Sequence, residues 1–298
     1  MQHGSLISFA RRAAGCAFAT LIASCSLSLV GCDSSPDPMA WCEVLVAEPD
    51  PAVVTDSAAR SRISATKLPW KVRDRKTGMI MLLVPPGDFE MGSPPDEPRR
   101  GTNEHQHHAS IAKAFYLGQT EVTQDEWKRM RGGNPAQFTG GENPVEQVSW
   151  NDCQAFCSAS GMRLPTEVEW EYACRAGTQT PYFSGVASNP DEINYDGTLP
   201  YGGGPKGVYR ERTVECGSLP HNAWGFREMH GNVWEWCQDA FEIEAAKVQS
   251  GREGTGQRVV RGGSWYDDAI NCRSASRLEM SPGYTSNLIG FRAARTPG

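Results

Sequence analysis

The chain has 298 residues, enough for one large domain or two small ones, with ordinary apolar content and a net charge of -6. That balance argues against a nucleic-acid partner, which needs a basic face against phosphates. Thirty-one Gly, 20 Pro and nine Trp point to an irregular fold of short elements held by aromatic clusters.

Arg11 and Arg12 precede an apolar run from Ala13 to Val30 that ends in Leu29-Val30-Gly31-Cys32. A positive start, a short apolar stretch and a small residue before the cut describe a secretory signal peptide over 1–31. The ending resembles a bacterial lipobox, with cleavage before Cys32 and lipidation of its thiol. The expected location is therefore that of an exported bacterial lipoprotein. It would be membrane-anchored at Cys32, at the inner or outer membrane, and face the periplasm. Residues 32–76 are turn-rich and interrupted by Pro49, Pro51 and Pro69. They read as a lipidated tether, with a short helix over 57–64. Seven cysteines follow the anchor, at 42, 153, 157, 174, 216, 237 and 272. An odd number leaves at least one free, ligand-bound or intermolecular, in a compartment that permits disulfides.

The domain proper is expected over 77–298. Met79 to Val84 is an apolar strand. Pro85-Pro86-Gly87-Asp88 turns it and Phe89 to Met91 returns, a hairpin pattern. Three histidines, His105, His107 and His108, lie in a polar stretch, where an exposed loop is a better reading than a metal site. Phe115 to Leu117 reads as a strand. Thr123-Gln124-Asp125-Glu126 and Thr166-Glu167-Val168-Glu169 are capping boxes that open helices. Between them a helix begins near Trp150 and stops at Gly161, with Cys153, Phe156 and Cys157 on one face. Tyr182 to Arg212 has little periodicity. Val259 to Arg261 is a strand, and Gly290 to Ala293 closes a sheet. Short strands, few short helices and long loops make the fold class α+β.

The stretch Gly225 to Cys237 reads GFREMHGNVWEWC. Gly231-Asn232 marks a tight turn between Glu228 and Glu235, because both residue types tolerate positive φ. Two carboxylates and inward carbonyls suit a hard cation, Ca²⁺ above all. A buried turn with two solvated glutamates is the alternative on spacing alone.

GNVWEW, the run Arg163 to Tyr172 (RLPTEVEWEY), Arg261-Gly262-Gly263-Ser264-Trp265 and Gly290-Phe291-Arg292 resemble the formylglycine-generating enzyme, or sulfatase-modifying factor, family. Val148-Ser149-Trp150 and Glu121-Val122-Thr123 fit the same pattern. The motifs follow the family's order and cover about 77–296. The resemblance implies an irregular C-type-lectin-like fold. It implies calcium ligands at Glu228, Gly231, Val233 and Glu235, with Gly231 and Val233 using backbone oxygens, and a ligand of a second calcium site at Asn194. It places an active-site serine at Ser264 and a substrate-groove tryptophan at Trp234.

Enzymes of this family oxidise a substrate cysteine to formylglycine with O₂, using Cu(I) held by two cysteines just beyond the GGS motif. The first of these falls on Asp267. The second falls on Cys272 if a short deletion is placed after it. A hard carboxylate does not replace a thiolate on soft Cu(I), so the copper pair is incomplete. The favoured function is a calcium-stabilised envelope lipoprotein that binds a protein or peptide. The alternative is an active oxidase, or a divergent metal-dependent oxidoreductase, converting a cysteine of exported sulfatase-like proteins.

Overall fold

A computed structural model describes residues 37–242 and 256–297. The signal peptide, Cys32 and its lipid lie outside the described residues. Eleven strands and four α-helices occur among those described. They build an α+β fold of three small sheets, in the expected class.

The first sheet has the order β1-β2-β3-β6-β11. Its strands are β1 (Cys42–Val46), β2 (Lys71–Asp74), β3 (Ile80–Val84), β6 (Phe115–Gly118) and β11 (Ala294–Arg295). The second, β10-β7-β8-β9, contains β7 (Trp234–Ala240), β8 (Arg258–Arg261), β9 (Arg277–Met280) and β10 (Ile289–Gly290). The third pairs β4 (Gly87–Met91) with β5 (His107–Ile111). Leu82, Val84, Leu117 and Val260 are buried on these strands, which removes apolar surface from water.

Helix α1 spans Ser57–Ala65, α2 Gln124–Arg131, α3 Trp150–Ser160 and α4 Glu167–Arg175. The capping boxes form as read: Thr123 with Glu126, and Thr166 with Glu169, each satisfy two end donors. A third box, Ser149 with Asp152, starts α3. Gly161 ends that helix in the left-handed conformation. Trp127 of α2 stacks on Phe156 of α3 at 5.7 Å, and Phe156 meets Phe291 edge-on at 5.3 Å. A separate cluster of Tyr182, Ile193, Tyr195, Tyr201, Ala269 and Cys272 pins the long 182–212 segment beneath a short 3-10 turn over Ala269–Cys272.

Two expectations differ from the fold. Residues 38–76 are not a tether: β1 and β2 join the first sheet, and Val54, Ala59, Ile63, Trp70 and Val72 are buried. The prolines break this segment into pieces too short to show a period. Nor do 80–84 and 87–91 form a hairpin. β3 pairs with β2 and β6, whereas β4 pairs with β5. Pro85-Pro86 lacks two ladder donors, and the chain leaves the first sheet there.

Among the described residues, Cys153, Cys157, Cys174, Cys216, Cys237 and Cys272 are free thiols, and all of these but Cys216 are buried. No helix among the described residues is long and apolar enough to cross a membrane.

Candidate functional site

Strand β8 ends at Arg261, and the chain then turns through Gly262 and Gly263 at φ 97 and 76. A Cβ on Gly263 would stand 2.5 Å from the Cys272 sulfur, so this close approach requires glycine. The turn delivers Ser264 to Asp267: its hydroxyl donates to Oδ2 at 2.5 Å and its amide at 3.0 Å. The Trp234 indole donates to the same oxygen at 2.9 Å, and the Asn271 amide donates to Oδ1 at 3.3 Å. Ser264 and Trp234, which the resemblance assigns to a substrate groove, are buried at 0% and 4% exposure and are joined through Asp267. Burial raises the Asp267 pKa, and these hydrogen bonds oppose the rise.

Cys272 is fully buried, and its thiol lies 3.9 Å from the Asp268 carbonyl. Burial pushes this thiol well above its ordinary range, and the charges of Asp267 and Asp268 push it further. One thiol alone falls short of the two thiolates that soft Cu(I) takes.

Beside this turn stands an aromatic shelf that sequence reasoning missed. Trp265 stacks with Tyr209 at 6.3 Å and meets Phe138 edge-on at 5.3 Å. Tyr266 meets Trp265 edge-on at 5.6 Å and is 60% exposed. The Arg212 guanidinium lies 5.8 Å from the Phe138 ring. These rings come from three distant stretches of chain, so no local pattern foretells them.

The Glu228–Glu235 turn is built as read, with Glu228, Gly231 and Asn232 at positive φ. A Cβ on Gly231 would stand 2.2 Å from the Asn194 carbonyl oxygen. This contact brings the Asn194 loop against the turn, where the Asn232 amide donates to that carbonyl at 2.8 Å. The two carboxylates have separate protein partners. Glu235 accepts from Arg292 at 2.6 and 2.7 Å and from the Trp170 indole at 2.7 Å. Glu228 accepts from the Gly217 and Leu219 amides at 2.9 and 3.0 Å.

A third acid, Glu121, is fully buried and accepts from the Asn232 side chain at 2.9 Å. Its other oxygen has no protein partner, and neither does Asn194 Oδ1. Burial, then the charge of Glu228, holds the Glu121 carboxyl well above its usual range; burial raises Glu228 as well. Among the described residues, no three His, Cys, Asp or Glu side chains group as a metal site. A cation here would need backbone oxygens, as the resemblance implies for Gly231 and Val233.

Several other titratable groups sit apart from this chemistry. His105, His107 and His108 are exposed, and His108 faces Asp88 and Glu90. Glu167 and Glu171 on α4 are held by arginines: buried Arg261 bonds both, half-buried Arg277 bonds Glu167 and buried Arg175 bonds Glu171. A cavity of about 410 Å³ opens over Arg261, Arg277 and His105. Its walls include none of Ser264, Asp267, Trp234 and Cys272, so the arrangement of donors, not the cavity, defines the candidate site.

The family model described as "Sulfatase-modifying factor enzyme 1-like domain" matches residues 69–297. The chain belongs to this family. The formylglycine-generating enzyme of Streptomyces coelicolor is 37% identical over 182 residues, which is 56% of this chain and 57% of that protein. The inactive C-alpha-formylglycine-generating enzyme 2 of Mus musculus is 34% identical over 53% of this chain and 50% of its own length. Among solved structures, PvdO from Pseudomonas aeruginosa superposes with a TM-score of 0.64 at 27% identity. That match covers 76% of this chain and 97% of PvdO. The chain spans about half the length of the first curated relatives it matches, 48–53%.

Proposed function

We propose that this sulfatase-modifying-factor domain binds a peptide segment of a partner protein along the Trp234–Ser264 groove, without the family's copper chemistry. The observation that carries this reading is the state of Asp267. A carboxylate stands at the first thiol position, and Ser264, Trp234 and Asn271 already consume it. Cys272 alone is a poor copper site, because soft Cu(I) needs a second thiolate. The residues therefore do not fit Cu(I). Trp265, Tyr266 and Arg212 are of the residue types that anchor protein interfaces, and Tyr266 is exposed.

Calcium is proposed as a structural ion. Glu121, Glu228 and Glu235 set three buried carboxylates against the buried guanidinium of Arg292 and the half-buried one of Arg227. The orphaned oxygens of Glu121 and Asn194 are ligands of the type Ca²⁺ takes. Glu228, Glu235, Asn194 and the Gly231 and Val233 carbonyls would hold such ions. When bound, Ca²⁺ supplies charge neutralisation and fixes the turn. The LVGC ending at Cys32 supports a periplasm-facing lipoprotein, with the partner in the cell envelope.

A second reading is an active formylglycine-type oxidase acting on exported proteins. Its support is the 37% identity to an enzyme of that name and the retained Ser264 and Cys272.

A displayed library of random peptides tests the binding role. Clones enriched on the wild-type protein should lose at least about tenfold in affinity to Tyr266→Ala, as interface anchors do. Equal affinity for both proteins would refute the groove assignment.

A further inference from the structure

The chain enters the folded domain through a turn over 38–41. That turn is fixed to the first sheet. The Trp41 carbonyl accepts from the Arg75 amide at 3.0 Å, and Cys42 stands opposite Asp74 in the β1–β2 ladder. The Trp41 ring meets Tyr116 edge-on at 5.4 Å and carries the Arg295 guanidinium at 4.3 Å. The entry turn and the turn after β2 therefore share one end of the sheet.

That end is basic. Arg75 and Lys76 are exposed on it. Arg129, exposed in the last turn of α2, joins them: its guanidinium donates to the Thr77 carbonyl at 2.8 Å and leaves no room for a Cβ on Gly78. Lys76 reaches the Ala159 carbonyl at 3.5 Å. The neighbouring acids are engaged elsewhere. Asp74 pairs with Arg295 at 3.1 Å, Asp125 pairs with Lys128 at 3.1 Å, and Glu126 accepts from the Thr123 amide at 2.9 Å. Asp37, exposed at the start of the entry turn, offsets one charge at most. The net charge of the chain is -6, and Arg11 and Arg12 are the charged residues of 1–32, so the remainder carries -8. Three cations gathered on so acidic a chain mark this end as different from the rest of the surface.

Their place along the chain says what they face, and here the inference rests on the lipoprotein reading of Cys32. Six positions separate Cys32 from Pro38, at most about 20 Å of extended chain. That is about half the roughly 45 Å breadth of a domain of about 260 residues. The entry end is therefore held near the bilayer, and charge contacts too weak to recruit a free protein act there as an intramolecular step. We propose that the Arg75–Lys76–Arg129 end of the domain docks on anionic phospholipid headgroups of the membrane that holds the lipid.

The test uses the chain from Asp33 onward, which contains every described residue. An N-terminal histidine tag holds it on vesicles with nickel-chelating lipid, so the anchor does not depend on lipidation in the cell. The vesicles are phosphatidylcholine alone, or equal parts phosphatidylcholine and phosphatidylglycerol. A water-soluble acetylating ester labels lysines, and mass spectrometry follows Lys76 and Lys113. Lys113 is exposed at the opposite end of the sheet, just before β6. Labelling of Lys76 should slow at least about fivefold on the anionic vesicles, the gain expected from one cation at such a surface, while Lys113 keeps its rate. Arg75→Gln with Arg129→Gln should remove most of that protection at an unchanged melting temperature, and so should high salt. Equal labelling of Lys76 on both vesicles would overturn the proposal. Equal protection of Lys113 would overturn the choice of face. Lipid on Cys32 is read separately, from the mass of its peptide in the full-length chain, so failure of the anchor and failure of the basic face are told apart.

Discussion

At the scale of single residues, position 267 decides the chemistry. Asp267 and Cys272 face one turn, and only the first is the wrong element for copper. Wild-type protein is expected to hold close to no Cu(I) in competition with a chromogenic chelator. Asp267→Cys should gain about one Cu(I) per chain, and adding Cys272→Ser should abolish it, because soft Cu(I) needs two thiolates. One-to-one binding by the wild type would contradict the site as described. His230 makes a second residue-scale prediction. Its Nδ1 meets the Cys272 carbonyl at 2.7 Å, its Nε2 accepts from the Phe183 amide, and burial lowers its pKa to about 4. The unfolded chain takes up a proton near pH 6.5 that the folded chain refuses until about pH 4. Stability should therefore fall as pH drops through that window, by about 2–3 kcal/mol between pH 7 and 4.5. Urea titrations should show this slope missing in His230→Gln. The residue was visible in the sequence, but its partners come from residues 183 and 272, which no local pattern joins to it.

At the scale of elements, the three capping boxes and the GN turn show what is local. Thr166 with Glu169, and Gly231 with Asn232, act over three or fewer residues, so the sequence alone exposes them. Arg292 binding Glu235, and Glu121 reaching Asn232, span more than fifty residues and appear only in the fold. Their consequence is testable. Glu121 and Glu228 have raised pKa values when folded, so the folded state keeps protons above about pH 4.3 that the unfolded state releases. Their contribution to stability is greatest below that pH and declines as pH rises. Calcium binding the ionised forms should offset this decline. The melting temperature should rise with Ca²⁺ over EGTA, more at pH 8 than at pH 5.5. Absence of a Ca²⁺ effect at both pH values would remove the calcium proposal.

At the scale of the whole molecule, the segment before the family motifs belongs to the fold. Cys42, Val54, Ala59 and Ile63 are buried there, and β1 lengthens the first sheet. Protein starting at Leu68 should be less stable than protein starting at Pro38 by on the order of 5 kcal/mol in urea, given the apolar surface lost. A tether would show no difference. The α+β class and the family were legible because six motifs keep their order. The start of the domain was not, because proline interruptions hide the alternation of β1 and β2.

The central claim is that a family groove persists here without copper oxidation. The most direct test supplies the folded chain with calcium, Cu(I), oxygen and a reductant, and adds a peptide carrying Cys-x-Pro-x-Arg. Mass spectrometry then follows conversion of the thiol to the aldehyde. The account predicts no conversion by the wild type. Multiple turnovers by the wild type would contradict it and restore the oxidase reading.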